Sequence, residues 1–427
     1  MNNKTIAFIF ALVTTISGVY AQQTIESPYS YYGIGTLNTD GSIEESLMGG
    51  IGVYADSTRV NMQNPATLAK LKFTAFSAGL SFDTKKIASN QTSVKSKETY
   101  ANYVSLGFPI AEKLGFSIGL RPYSSVGYRL LSTQTTNGVI RKNEFEGIGN
   151  VNQMFASVGY TVYKGLRVGA SFKFNFGKTE MTDNLAISDV QYVTREYSQS
   201  VLRGFSTNLG LFYDGKFDNK LGYSLSLAYT PESKLTSKNE RTISTMGYMG
   251  GSQNNSLNVI DSQSIDLLNL GLKQTKLTLP TQIDFGVGVG EFRRWFVGID
   301  YSYSNMKRFS NPFLTTTQVG YEDAYKLSIG GFYLPQFNSI SSYWKRVTYR
   351  AGLRFENTGI VLKNESINDF GISFGVSLPV RGFSNITTGF EYGRKGTLNQ
   401  NLIKENYFNL KIGFTLNDKW FQKTKYQ

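Results

Sequence analysis

LRVGASFKFNFGK, residues 166–178, decides the fold. Leu166, Val168, Ala170, Phe172, Phe174 and Phe176 occupy one parity; Arg167, Gly169, Ser171, Lys173, Asn175 and Gly177 occupy the other. Successive side chains of an extended chain point to opposite sides, so this stretch reads as a β-strand with one apolar and one polar face. Residues 408–416 repeat the pattern, with Phe408, Leu410, Ile412, Phe414 and Leu416 set against Asn409, Lys411, Gly413 and Thr415. Working outward from these two, the alternation predicts strands at 73–84, 98–108, 112–126, 151–163, 166–178, 202–214 and 220–231. The same reading continues at 280–290, 294–306, 322–334, 347–357, 368–378, 384–395 and 404–416. Most are about 10–13 residues long, enough to cross an outer membrane as tilted strands.

The connections alternate in length. Phe108-Pro109-Ile110-Ala111, Lys164-Gly165, Asp214-Gly215-Lys216, Gly290-Glu291-Phe292 and Leu378-Pro379-Val380-Arg381-Gly382 are short and built from turn residues. Between them fall the longer polar stretches 85–97, 127–150, 179–201, 232–279, 307–321, 358–367 and 396–403. Short periplasmic turns alternating with long extracellular loops define an all-β, fourteen-stranded antiparallel transmembrane β-barrel over 73–416. A soluble sandwich would also alternate, but nothing would make its connections take turns in length. One connection breaks the rule: 335–346 falls where a short turn belongs. Within 232–279, the residues Ile265, Leu267, Leu268, Leu270 and Leu272 suggest a short amphipathic helix at the barrel mouth, a ligand-capture loop for an apolar solute, or a loop folding its own small apolar cluster.

Composition agrees. The chain of 427 residues is 14% aromatic, which interfacial girdles would use, and has no segment resembling a spanning helix after the N-terminus. With no Cys and no His, disulfides, thiolate or imidazole metal sites, a Cys nucleophile and a Ser-His-Asp triad are closed. No catalytic residue, metal ligand or cofactor is indicated. The formal charge of +13 is spread along the chain without a nucleic-acid-binding motif; it suits lipopolysaccharide, a polyanionic solute or an acidic partner. At the N-terminus, Lys4, the apolar run Ile6–Val13 and Val19-Tyr20-Ala21 form a secretory signal peptide, 1–21. A tail, 417–427, follows the last strand.

Residues 22–72 do not alternate. They are rich in Gly, which permits tight irregular backbone, and such backbone survives at membrane depth only inside protein or beside water. This segment is expected to fold into the lumen as a hatch. MGGIGVYADSTRVNMQNPATLAKL, residues 48–71, here resembles the FadL-type outer-membrane transporter family: a Gly-rich stretch, Asp56-Ser57, then Asn64-Pro65-Ala66 leading into strand one. The resemblance implies a fourteen-stranded barrel with the Asn-Pro-Ala element in the hatch, and passive uptake of hydrophobic small molecules. Where many members continue with Gly, this chain has Thr67. Arg121-Pro122-Tyr123 falls inside the third strand, where Pro cannot donate to a ladder. It resembles the bent strand through which that family is thought to release ligand sideways; a bulge or an early strand end is the plainer reading.

Two functions follow. One is a hatch-plugged channel passing a hydrophobic small molecule across the outer membrane. The other is a non-transporting barrel serving as subunit or plug of a protein secretion complex, since the same architecture is used by barrel subunits of the type 9 secretion system of Bacteroidota. A large protein partner then replaces the solute. The Asn-, Lys-, Tyr- and Ser-rich composition and the tail Asn417-Asp418-Lys419-Trp420-Phe421 look like outer-membrane proteins of that phylum.

Overall fold

The computed structural model describes residues 27–38, 41–218, 220–248, 257–314, 319–380 and 384–419. The signal peptide expected at 1–21 and the tail beyond Lys419 lie outside these residues.

Nineteen strands among the described residues form one antiparallel sheet. In chain order they are β1 (Thr36–Leu37), β2 (Thr74–Ala88), β3 (Ser93–Ala111), β4 (Leu114–Thr136), β5 (Val139–Tyr163), β6 (Leu166–Ile187) and β7 (Val193–Lys216). There follow β8 (Leu221–Thr230), β9 (Ser233–Tyr248), β10 (Leu257–Ser264), β11 (Gln274–Leu279), β12 (Gln282–Glu291) and β13 (Trp295–Ser304). The last are β14 (Val319–Tyr321), β15 (Ala324–Tyr333), β16 (Thr348–Leu362), β17 (Glu365–Pro379), β18 (Asn385–Gly396) and β19 (Lys404–Asp418). Fourteen of them, β2–β8, β12, β13 and β15–β19, are the strands expected from alternation. The ring closes where β19 pairs with β2, from Lys404 opposite Ala88 to Asp418 opposite Thr74. A closed ring leaves no edge strand, which is what a lipid environment requires.

The two faces are reversed relative to a soluble protein. Phe172, Phe205, Leu209, Leu211, Phe285, Val297, Phe374 and Phe390 are exposed on the outside, while Ser81, Ser105, Gln153, Asn175, Ser206, Thr387 and Thr415 are buried inside. On β6 the outer face runs Phe172, Phe174, Phe176 and then turns polar at Lys178, Glu180 and Thr182. That change marks where the strand leaves hydrocarbon.

Several strands continue far beyond that level. β4–β7 have 23, 25, 22 and 24 residues, against 10 each in β13 and β15. The long polar loops expected at 127–150 and 179–201 are therefore mostly hairpin arms. Asn137-Gly138 alone joins β4 to β5, with φ of 50° and 82° as a type I′ turn needs. Lys363-Asn364 joins β16 to β17 in the same way, with φ of 48° and 64°. One side of the barrel thus stands taller than the other.

The stretch 232–279 is also β-structure. β8 and β9 form one strand interrupted at Pro231-Glu232, and β11 and β12 form its neighbour, interrupted at Pro280-Thr281. The amphipathic helix expected around 265–272 is absent. There the chain makes a tight turn in which Leu272 N and Lys273 N both donate to Leu267 O and Gly271 takes a φ of 68°. A local bond favours the turn: Leu268 N donates to Asp266 Oδ1 at 2.9 Å, while the carbonyls of Leu272 and Lys273 accept from the side chain and backbone N–H of Asn239 on β9 at 2.8 and 2.9 Å. Leu267 is buried, and Leu268 and Leu270 face solvent.

Candidate functional site: a filled lumen and a gap in the wall

Residues 27–38 and 41–72 lie inside the ring and touch strands from β2 round to β19. Near the periplasmic end, Asn64 caps a 3-10 helix, Pro65–Lys70, by accepting from Ala66 N. Its amide Nδ2 donates to Ser226 Oγ at 2.8 Å and Leu211 O at 2.9 Å, tying the segment to β7 and β8. Pro65 and Ala66 lie against Gly159 and Gly169: a Cβ on Gly169 would fall 2.3 Å from Ala66 N. Thr67 Oγ1 donates to Asn64 O at 2.7 Å, so the residue that departs from the family pattern closes the same turn.

Across the lumen the short helix Ile43–Ser46, with a Ser42–Glu45 capping box, packs Ile43 onto Gly79 and Gly413, the two strands at which the ring closes. Met48 and Gly49 lie directly on Gly330 and Gly352, where an added Cβ would meet Met48 O at 2.1 Å and Gly49 N at 2.0 Å. Asp300 of β13 accepts from Gly52 N and from Val53 N. These glycines are inward positions kept bare so that the segment's backbone can seat on the wall. Burial lifts the Glu45 carboxyl to about 8, against the lowering effect of the hydrogen bond from Ser42 N. The Arg59 guanidinium and the Thr58 N–H hold the Asp56 carboxylate below its ordinary value despite burial.

A charged cluster binds the segment from the β16–β19 side. Arg354 donates to Glu356 at 2.6 Å, Asp369 at 3.3 Å and Glu391 at 2.9 Å, and Lys411 donates to Glu391 at 2.5 Å. Lys411 also reaches Ser46, Thr387 and Thr415 donate to Glu44 at 3.1 Å, and Ser27 donates to Glu405 at 2.5 Å. Nothing in the sequence pattern separated these residues from other polar inward positions.

The third feature is a break in the wall. β3 and β4 pair only from Val104–Leu120 down to Ala111–Leu114. Above Leu120, β4 bonds β5 alone on one side, with an irregularity between Pro122 and Ser124, and its other edge parts from β3. Arg121-Pro122-Tyr123 sits where the parting begins. Arg121 is buried and donates to Gln153 at 2.6 and 3.0 Å, starting an inward polar ladder through Asn175 to Ser206. The N-terminal segment occupies the break. Thr36 and Leu37 pair with Ser125 and Ser124 as β1, Asn38 N donates to Tyr123 O, and Ser27 N donates to Gly127 O, both at 3.0 Å. Gly35 has a φ of 96°, and its missing Cβ lets it lie on Ser125 O.

A cavity of about 220 Å³ lies beside this strand, apolar on one side (Ile34, Leu279, Met306, Phe309) and charged on the other (Lys326, Lys395). A second, of about 120 Å³, opens at the break, lined by Asp83, Glu98, Tyr100 and Pro122. Thr36, Leu37 and Asn38 of the segment line both, together with Arg354, Asp369 and Lys395 of the wall. Among the described residues no group of His, Cys, Asp or Glu could hold a metal ion.

A ring of this size and strand order, apolar outside and crossed by its own N-terminal segment, has the fold of the FadL-type barrels. Its shape matches the CymD monoaromatic hydrocarbon channel at 17% identity and a TM-score of 0.57, covering 91% of this chain and 100% of that one. The Ralstonia pickettii toluene transporter TbuX is similar at 15% identity and a TM-score of 0.57, covering 89% and 99%. The Pseudomonas putida toluene transporter TodX is similar at 16% and 0.56, covering 90% and 99%. The sequence model of the family described as BamG matches residues 1–427, and the chain belongs to that family. No curated protein matches the sequence.

Proposed function

We propose that this barrel is a non-conducting scaffold, a membrane-embedded subunit of an envelope protein complex of the secretion class, with residues 22–72 as its hatch. The observation that carries this reading is the filled lumen. At the level of Gly49, Gly52 and Ala66 the hatch backbone lies on bare glycines and is tied to the wall through Asp300, through its own Asn64, and through Lys411 on Ser46. A path for a solute would have to lift the segment off the wall and break these bonds, each buried one worth about 1 kcal/mol. The cavity above the hatch, about 220 Å³, is also smaller than the ~300–1,000 Å³ of sites for drug-sized molecules. The test is extraction from native outer membranes in mild detergent, followed by planar-bilayer recording. The scaffold reading expects one stoichiometric assembly with a large protein and no single-channel steps; a lone barrel that conducts, or that takes up an apolar probe, overturns it.

A specific observation keeps passive transport of a hydrophobic small molecule as the second reading. Residues 36–38, with Arg354, Asp369 and Lys395, line both the half-apolar cavity and the one at the β3–β4 break, so displacing β1 would widen the way from lumen to lipid. Lateral release suits an apolar solute, which gains about 0.8 kcal/mol per CH₂ on leaving water. The toluene transporters named above have the same shape, which supports the fold of such a route and not its use here.

A further inference from the structure

The one long connection at the short-turn end, 335–346, carries a patch that neither the hatch nor the break uses. It joins β15 to β16 and folds as a loop with a single 3-10 turn, Trp344–Arg346. Beside it lies the turn between β12 and β13, fixed by Leu334 N donating to Arg294 O at 2.6 Å. Four cations gather here, Arg293, Arg294, Lys345 and Arg346, against one carboxylate, Glu291, which pairs with Arg294 at 3.1 Å. Aromatic rings hold two of them. Arg293 lies 4.2 Å from the ring centre of Phe337 and 5.0 Å from that of Phe292, and Arg346 lies 5.3 Å from that of Tyr343. Phe292, Ile340 and Trp344 are each more than two-thirds exposed.

We propose that this patch binds the anionic phosphate headgroup of a phospholipid in the periplasmic leaflet. Depth is the deciding argument. Tyr333 and Tyr349 face each other as the end residues of the β15–β16 pairing and point outward to lipid. The Tyr349 hydroxyl donates to Trp344 O at 3.3 Å and that of Tyr343 to Pro379 O at 3.2 Å, so the loop is held against the outer rim at the level of those rings. Tyr and Trp at that level sit among headgroups, and cations beside them meet lipid phosphate. A guanidinium placed between two rings keeps its in-plane N–H groups free to form paired bonds to phosphate oxygens. Each cation near an anionic surface is worth about a fivefold gain in binding, so the patch, net positive by three charges, selects anionic over zwitterionic lipid.

The test uses the intact barrel in nanodiscs of phosphatidylcholine containing a minor share of phosphatidylglycerol, with retained lipids counted by native mass spectrometry. The wild type should retain phosphatidylglycerol preferentially. The double variant Arg293→Gln/Arg346→Gln should lose more than tenfold of that preference, while Arg129→Gln, a cation at the opposite end, should keep it. Heat-modifiable gel mobility confirms that each variant has folded. A wild type without preference, or a double variant that keeps it, overturns the proposal. A photoreactive residue at position 340 gives an independent reading in cells: lipid adducts support the proposal, and a discrete protein adduct assigns the patch to a partner instead.

Discussion

Replacing Asn64 by Ala should release the periplasmic end of the N-terminal segment while leaving the barrel intact. Three interactions go at once: the cap on Ala66 N and the bonds from Nδ2 to Ser226 Oγ and Leu211 O. A lost Asn cap costs about 1 kcal/mol, and each buried hydrogen bond about 1 kcal/mol more. The total, about 3 kcal/mol, falls on the segment alone and raises the population of its detached form roughly a hundredfold. Hydrogen exchange on the folded barrel in detergent reads this directly. Amides of residues 61–71 should exchange about a hundredfold faster, while β5–β7 keep their protection. Asn64→Asp sharpens the test, because Asp also caps helices but presents oxygen, not N–H, to Leu211 O. It should exchange at least as fast as the Ala variant. Wild-type exchange in Asn64→Ala, or full recovery in Asn64→Asp, would refute the anchoring argument.

Other outcomes follow from the same geometry. Gly352→Ala puts a Cβ 2.0 Å from Gly49 N, so the segment must lift from β16; trypsin should then cut after Arg59 in folded barrels that the wild type protects. The Glu45 carboxyl, raised to about 8 when folded against about 4.3 when unfolded, stabilises the segment fully below about pH 4 and loses that contribution as pH rises to 8. Exchange of residues 41–63, corrected for intrinsic rates, should therefore increase from pH 5 to pH 8.5, and Glu45→Gln should flatten the profile. Arg354→Met leaves Glu356, Asp369 and Glu391 without their shared cation and should cost the folded barrel about 3–5 kcal/mol, read as a lower temperature of heat modification. Leu37→Cys with Ser124→Cys joins a directly paired couple in a chain that has no other Cys, at a separation a disulfide spans. Oxidation should stop uptake of an apolar probe, reversibly with reductant, if the break is a solute exit; uptake indifferent to oxidation rejects that exit.

The fourteen ring strands were legible because lipid outside and polar lumen inside impose opposite chemistry on alternate residues, as in 166–178 and 408–416. The signal fades where water bathes both faces. Gln134-Thr135-Thr136 and Thr182-Asp183-Asn184 belong to strands but carry no period, so 127–150 and 179–201 read as loops. Asn137-Gly138 was the available clue, since that dipeptide between extended runs favours a type I′ hairpin. The helix offered as one reading of 265–272 gave way to a turn because apolar spacing says nothing of the local bond from Leu268 N to Asp266 or of the Gly271 backbone. Pro122 lies at the level where β3 and β4 part, beside an irregularity in the β4–β5 ladder. That the N-terminal segment fills the break, and that Arg354 gathers three carboxylates, depend on contacts hundreds of residues apart, which no local pattern carries.

The path of the N-terminal segment constrains how the molecule is made. Ser27 bonds Gly127 in the upper half of β4, and the chain then descends to Phe73 at the opposite end before the first ring strand begins. Ile43 meanwhile rests on Gly79 of β2 and Gly413 of β19, the first and last strands of the ring. The last strand is synthesised some hundreds of residues after the segment it must enclose, yet the joint between first and last strands is shaped around that segment's side chain. Assembly therefore has an order: the N-terminal stretch docks while the sheet is still an open curl, and its isoleucine becomes the template on which the two ends of the sheet meet.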